Sequence, residues 1–185
     1  LGSTTPMSTT RDGDGTKRRR TLEQPSSLQL RCAAASEQGK RPAQEDRYVL
    51  IPNLAAHGGA KWSHLPQPCS LLGVFDGHMG SACSEYMAKR LPQKLLEQLA
   101  GSVQLAQIPK LLVELCNELD EDFLMEHDCP DGSTAIIALV LGTDLFIANL
   151  GDSGGVLCGD VVTPFAFPNH KPGSAVEKKR ISEAG

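Results

Sequence analysis

Two short apolar runs, Ser70–Phe75 and Leu145–Leu150, each end in an aspartate beside a glycine: Asp76-Gly77 in the first case, Gly151-Asp152 in the second. An apolar run of this length bounded by turn residues is a buried strand. A carboxylate at the end of such a strand is rigidly placed, and the glycine lets another group approach the backbone closely. The rest of the chain is read around these two strands. Further strands are predicted at 28–35 and 47–51, separated by the polar turn Glu37–Asp46. Residues 52–69, with Pro52, Pro66, Pro68 and two glycines, read as a loop. Ser81–Leu99 has helical apolar spacing, with Pro92 expected to bend it or to open a fresh first turn. Ile108, Leu111, Leu112, Leu115, Leu119 and Phe123 mark a second helix that stops near Asp128, before Pro130-Asp131-Gly132. Strands follow at 133–141, 144–150, 154–158 and 161–167, joined by hairpin turns at Gly142-Thr143-Asp144 and Gly159-Asp160, and a last helix runs from Ser174 to Ala184. Strands, two helices, then strands with short turns predict an α+β fold with antiparallel sheet rather than a βαβ repeat.

The 185 residues suit one domain with a tail, and with only eight aromatic side chains the core must be mainly Leu, Ile, Val and Ala. Residues 1–27 carry five basic and three acidic side chains and almost nothing apolar, which predicts a disordered basic tail. Within it Lys17-Arg18-Arg19-Arg20 is a solvated run or a targeting patch, and Asp12, Asp14 and Glu23 weaken a transit-peptide reading. Residues 28–185 carry 13 basic and 19 acidic side chains. The net charge of −4 argues against nucleic acid as a partner. No apolar run approaches the roughly 18 residues of a membrane helix. Between Lys110 and Lys171 there is no Lys or Arg but there are eleven carboxylates, either a solvated helix face or a field that concentrates divalent cations. The six cysteines form no Cys-x-x-Cys pair, which excludes a zinc ribbon. Scattered free thiols suit a reducing compartment, so cytoplasm or nucleus is expected, with an organelle left open.

Three constellations carry possible chemistry. In Gly39–Asp46, Arg41 suits an anion, while Glu45 or Asp46 suits a cation or its water; alone, a polar surface turn explains the segment as well. In Asp76-Gly77-His78 the imidazole is able to supply a proton near neutral pH, against the plain reading of an Asp-Gly turn. Gly151-Asp152-Ser153 lacks a Gly-x-Ser-x-Gly elbow, so Ser153 is not a nucleophile. Spaced carboxylates without Cys or His pairs favour Mg²⁺ or Mn²⁺ over zinc. With an Arg and a His beside them, the matching chemistry is metal-assisted hydrolysis of a phosphate ester. Two cations about 3.5–4 Å apart acidify the attacking water. The Arg neutralises the phosphoryl oxygens and the His protonates the leaving alcohol.

Taken in order, Gly39-Lys40-Arg41-Pro42 with Glu45-Asp46-Arg47, Gly73-Val74-Phe75-Asp76-Gly77-His78, Asp131-Gly132-Ser133-Thr134-Ala135, Gly151-Asp152-Ser153 and His170-Lys171-Pro172 resemble the metal-dependent protein serine/threonine phosphatases, the PPM or type 2C family. The resemblance spans residues 28–185. It implies a sandwich of two antiparallel β-sheets flanked by helices, a four-layer α-β-β-α arrangement, with a two-metal centre at one edge. By the same resemblance Asp76 bridges both cations, the Gly77 carbonyl binds one, and Glu45 and Asp46 bind metal directly or through water. Asp152 serves an additional, weaker site, Arg41 holds the phosphate and His78 is the general acid. Gly132, Ser133 and Thr134 are structural. The implied cofactors are two Mg²⁺ or Mn²⁺ with a third weaker site, and the implied partners are phosphoproteins bearing phosphoserine or phosphothreonine. Gly154 and Asn169 stand where the family usually has Arg and Asp, and two later metal-binding aspartates of the family have no counterpart in these 185 residues. The expectation is therefore the N-terminal portion of such a domain, its C-terminal part missing, in a fragment or truncated product. The alternative is a catalytically inactive relative that binds a phosphoprotein or regulatory partner. Specificity is expected from surfaces near the site, such as the Pro-rich loop with Trp62.

Overall fold

Buried and exposed positions alternate along the chain wherever one sheet face meets helices, and that alternation organises the whole molecule. The computed structural model describes residues 28–101, 104–160, 162–168 and 170–185, so the tail call for 1–27 and the Asn169 departure lie outside the described residues. In order, the elements are β1 (Arg47–Ile51), α1 (Leu54–Gly58), a 3₁₀ turn (Ala60–Trp62), β2 (Cys69–Phe75), β3 (Gly77–His78) and α2 (Ala82–Gln98). A second 3₁₀ turn (Leu105–Gln107) leads into α3 (Ile108–Glu126), followed by β4 (Gly132–Ser133), β5 (Ala135–Leu141), β6 (Asp144–Leu150), β7 (Val156–Gly159), β8 (Val162–Ala166) and α4 (Ala175–Ala184).

Four strands form an antiparallel sheet in the order β1-β2-β5-β6, while β3 pairs with β4 and β7 with β8. In the register Leu71 opposes Leu139 and Gly73 opposes Ile137. This puts Val49, Leu71, Phe75, Ile137, Leu139 and Leu141 on one face, all buried. Leu91 and Leu95 of α2 and Leu112, Leu115, Leu119 and Phe123 of α3 close the same core. The opposite face carries Leu72, Val74, Ile136, Ala138 and Ile147, which line a groove with Val156 and Leu157 of β7 and with Gly155 and Phe167, which flank the β7–β8 ribbon. Helices, a four-stranded sheet and a ribbon thus stack in layers. The class is α+β with antiparallel sheets flanked by helices, as expected.

The helical spacing of α3 leaves its acidic side chains to solvent or to α2. Lys94 of α2 pairs with Glu118 and with Asp122, the latter at 2.6 Å, and Gln98 donates to Glu118 at 2.9 Å. Helix α2 continues through Pro92, whose ring is buried. Burial of Leu91, Leu95 and Leu96 around it offsets the roughly 3 kcal/mol that a proline costs in a helix interior.

Four expectations need correction. Residues 28–35 form no strand; Ala33, Ala34 and Ala35 are exposed and offer little side chain to pack against a neighbour. The 52–69 segment is more than a loop, since Asn53 caps α1 by accepting the Ala56 N–H at 2.9 Å, and Leu54, Ala55, Trp62 and Leu65 join the core. Trp62 is only 3% exposed and lies directly on Gly58, where a methyl group would come within 2.2 Å of the indole, so its ring is not part of a substrate-facing surface. The strand expected at 133–141 is interrupted at Thr134, which turns its backbone toward Asp76.

Candidate metal and phosphate site

The sheet register assembles the site. Arg47 opposes Phe75, so the residues just beyond each strand end, Asp46 and Asp76, meet as well. The Asp46 carboxylate is near enough to hold the Asp76 carboxyl above its ordinary value. Ala135 opposes Leu150 across the next strand pair, which carries Gly151 alongside Thr134. Two sequence-distant Gly-flanked aspartates are thereby delivered to one end of one sheet.

Thr134 is the hinge pin of this arrangement. Its N–H donates to the Asp76 carbonyl at 2.9 Å, and the Asp76 N–H donates to its Oγ1 at 3.2 Å. The Ser133 hydroxyl donates to the same Asp76 carbonyl at 3.3 Å. On its other side Thr134 Oγ1 meets Ser153 Oγ at 2.5 Å. Gly151 has φ +83°, and a methyl group there would fall 2.9 Å from Thr134 Cγ2. Both observations demand glycine at the start of the Asp152 turn. His170 closes the turn from outside: its N–H donates to the Gly151 carbonyl at 2.7 Å, and its Nδ1 accepts the Gly151 N–H at 3.3 Å.

Glu45 is held through its backbone. Its carbonyl accepts the Ser84 hydroxyl, a group buried in the first turn of α2, and lies so close to Gly77 that a methyl on Gly77 would be 2.4 Å away. His78 pairs with Gly132 in the β3–β4 ladder, and its imidazole rests on the Gly132 Cα. Arg41 is exposed in a turn closed by its N–H to the Gln38 carbonyl at 3.3 Å. Among the described residues no ion pair joins its guanidinium to the carboxylates. The structure therefore sets Asp46, Asp76, Gly77, His78 and Asp152 at one end of the sheet, places Glu45 beside Gly77 by its backbone, and leaves Arg41 exposed in the turn before β1.

Charge at the site is unbalanced. The Asp76 carboxyl is pushed above its ordinary range, first by partial burial and then by Asp46 and Asp152, with His78 acting weakly the other way. Three carboxylates at one sheet end, opposed there by the His78 imidazole, offer hard oxygen donors of the kind that suit Mg²⁺ or Mn²⁺. Among the described residues no group of three or more His, Cys, Asp and Glu side chains is close-set enough to hold an ion by itself. Sequence reasoning assigned no work to Ser84, Asp131 or His170 and saw Thr134 only as structural. The one local signal was the placement of Thr134 directly before an apolar strand.

The sequence model of the protein phosphatase 2C family matches residues 30–185. Protein phosphatase 1L of Bos taurus is 35% identical over 165 residues, covering 83% of this chain and 42% of that protein. Probable protein phosphatase 2C 25 of Arabidopsis thaliana is 32% identical over 149 residues, covering 80% of this chain and 35% of that protein. Among solved structures, a C. elegans sex determining protein superposes with a TM-score of 0.65 at 30% identity, over 80% of this chain and 36% of that one. A bacterial serine phosphatase shares the fold with a TM-score of 0.54 at 18% identity, over 77% of this chain and 55% of that one. The chain belongs to the protein phosphatase 2C family. It spans about two fifths of the length of the curated relatives it matches. Among the described residues no helix is long and apolar enough to cross a membrane.

Proposed function

We propose that this chain carries the N-terminal half of the catalytic centre of a metal-dependent protein serine/threonine phosphatase. The observation that carries the reading is the β1–β2 register that sets Asp46 beside Asp76 at one sheet end, with Asp152 and His78 within electrostatic reach. Such a concentration of negative charge destabilises the chain unless a cation neutralises it, which is the property a metal site needs.

Asp76 and Asp46, with the Gly77 carbonyl and Glu45, would hold the Mg²⁺ or Mn²⁺ pair, and Asp152 a third, weaker site. Bound divalent cations supply an acidified water able to attack phosphorus at neutral pH. Thr134 orients Asp76 by gripping its backbone on both sides, so the carboxylate does not have to be ordered when substrate arrives. Arg41, exposed in the turn before β1, would swing onto the phosphoryl oxygens and neutralise them through bidentate contact. His78 donates a proton to the serine or threonine oxygen as the ester bond breaks. Substrates are phosphoproteins, and the compartment is cytoplasmic or nuclear, with an organelle open.

The test is hydrolysis of a phosphothreonine peptide titrated with Mn²⁺, wild type beside Asp76→Asn. Turnover that requires Mn²⁺ and is lost in the variant supports the phosphatase. A folded wild-type chain that binds the phosphopeptide without turnover supports the alternative, a phosphatase-like binding or regulatory protein. The lack of a self-sufficient metal-holding group among the described residues is what keeps that second reading in view.

A further inference from the structure

The segment from His78 to Ala82 joins the site to α2, and three of its five residues rest on one dipeptide, Asp131-Gly132. The imidazole of His78 lies on the Gly132 Cα, where a methyl group would stand 2.4 Å from its Nε2. Gly80, at φ +143°, is pressed against the Asp131 carboxylate, and a methyl there would be 2.1 Å from Oδ2. The Ala82 N–H donates to that same Oδ2 at 2.8 Å. Residues 78, 80 and 82 therefore sit in a saddle whose floor is Gly132 and whose wall is Asp131.

The saddle replaces an ordinary helix cap. Ser81 occupies the N-cap position of α2, but its side chain makes no capping bond and donates instead to Glu85 at 3.0 Å. The open N–H of Ala82 is served by Asp131, 49 positions along the chain. A negative side chain there also meets the positive end of the helix. Between the two anchors Met79 is held at φ +62°, a conformation that costs a non-glycine residue free energy and persists only where its surroundings impose it.

We propose that Asp131 is the positioning residue for His78: by capping α2 from a distant segment and bearing on Gly80, it holds the 78–82 turn so that the imidazole stays seated on Gly132. The role of His78 as proton donor rests on the phosphatase reading above; the seating of its ring does not. Loss of the Asp131 carboxylate frees the turn and lets the ring leave its seat, while Asn at 131 keeps an acceptor oxygen and retains it.

The experiment therefore has two arms, both on the full chain. In the first, the ¹H–¹³C signal of the His78 ring, assigned by its loss in His78→Asn, is followed in Asp131→Ala, Asp131→Asn and Ser81→Ala. The expected result is a displaced or broadened signal in Asp131→Ala only. An unshifted His78 signal in Asp131→Ala overturns the proposal. If that variant does not fold, Gly132→Ala lifts the ring directly, and an unchanged signal there overturns the saddle itself. In the second arm, Mn²⁺-loaded Asp131→Ala is assayed on a phosphothreonine peptide and on p-nitrophenyl phosphate. A misplaced proton donor matters most for the more basic leaving group. Turnover should fall at least about tenfold on the peptide and less than about twofold on the nitrophenyl ester. Equal losses on both overturn the positioning role. A wild type with no turnover on either substrate refutes the phosphatase reading and leaves the first arm to decide on Asp131.

Discussion

Replacing Asp76 by Asn should stabilise the cation-free chain and at the same time remove its stabilisation by Mn²⁺. Asp76 is exposed, yet its carboxyl feels the charges of Asp46 and Asp152. Two like charges about 4 Å apart in a water-like dielectric repel by about 1 kcal/mol. Exposure and salt reduce this, so a gain of roughly 0.5 kcal/mol is expected for the neutral isostere. The sign with pH follows from the raised carboxyl. A folded-state value above the unfolded one means that the folded chain holds its proton longer, so the repulsion is absent well below the ordinary carboxylate range. It grows as pH rises through that range and is complete above the raised value. The Asn variant should therefore exceed wild type near neutral pH and match it in acid. Adding Mn²⁺ at about 100 times Kd stabilises wild type by about 2.7 kcal/mol and reverses the order. Urea unfolding in EDTA and in Mn²⁺, at neutral and acid pH, measures all of this. A variant less stable than wild type in EDTA, or equal Mn²⁺ stabilisation of both, refutes the reasoning.

Other perturbations test the packing that holds the site. Leu119→Ala, at a side chain with no exposure in the α2–α3–sheet core, should cost about 2–5 kcal/mol in denaturant unfolding. Ser84→Ala leaves the Glu45 carbonyl without its buried partner and should cost about 1–3 kcal/mol, read from the same titration. Among the cysteines, exposed Cys158 should be alkylated quickly at neutral pH in the folded chain. Cys83 and Cys116, with burial pushing both thiols up to about 11, should react only when urea unfolds the chain, as mass spectrometry of labelled peptides would show.

Much of the fold is written in local patterns. The apolar spacing of Ile108–Phe123 places α3, and Ser70–Phe75 and Leu145–Leu150 lie within β2 and β6, because periodicity reports which side chains one face buries. Local pattern fails where a segment is held by something distant. Leu28–Cys32 alternates apolar and polar residues as a strand would, but Ala33–Ala35 after it offers too little side chain to hold a place in a sheet. Trp62 sits among loop residues and is buried because Gly58 leaves room for its ring.

The candidate site divides along the same line. Asp76 and Asp152 stand out in the sequence because two apolar strands each end in a Gly-flanked carboxylate, although a plain turn explains either one alone. Asp46 became more than a surface residue only through the β1–β2 register, which sets Arg47 against Phe75 and carries Asp46 onto Asp76. Thr134, Ser84 and Asp131 carry no chemical signature of their own. Their importance lies in hydrogen bonds to residues 39 to 58 positions away, reaching Glu45, Asp76 and Ala82. The sequence by itself determined which strands are buried and which carboxylates end them, since side-chain period and turn chemistry are local. Only the tertiary structure decided which of those ends meet, because strand register and trans-capping are properties of the assembled sheet and helix rather than of any one segment.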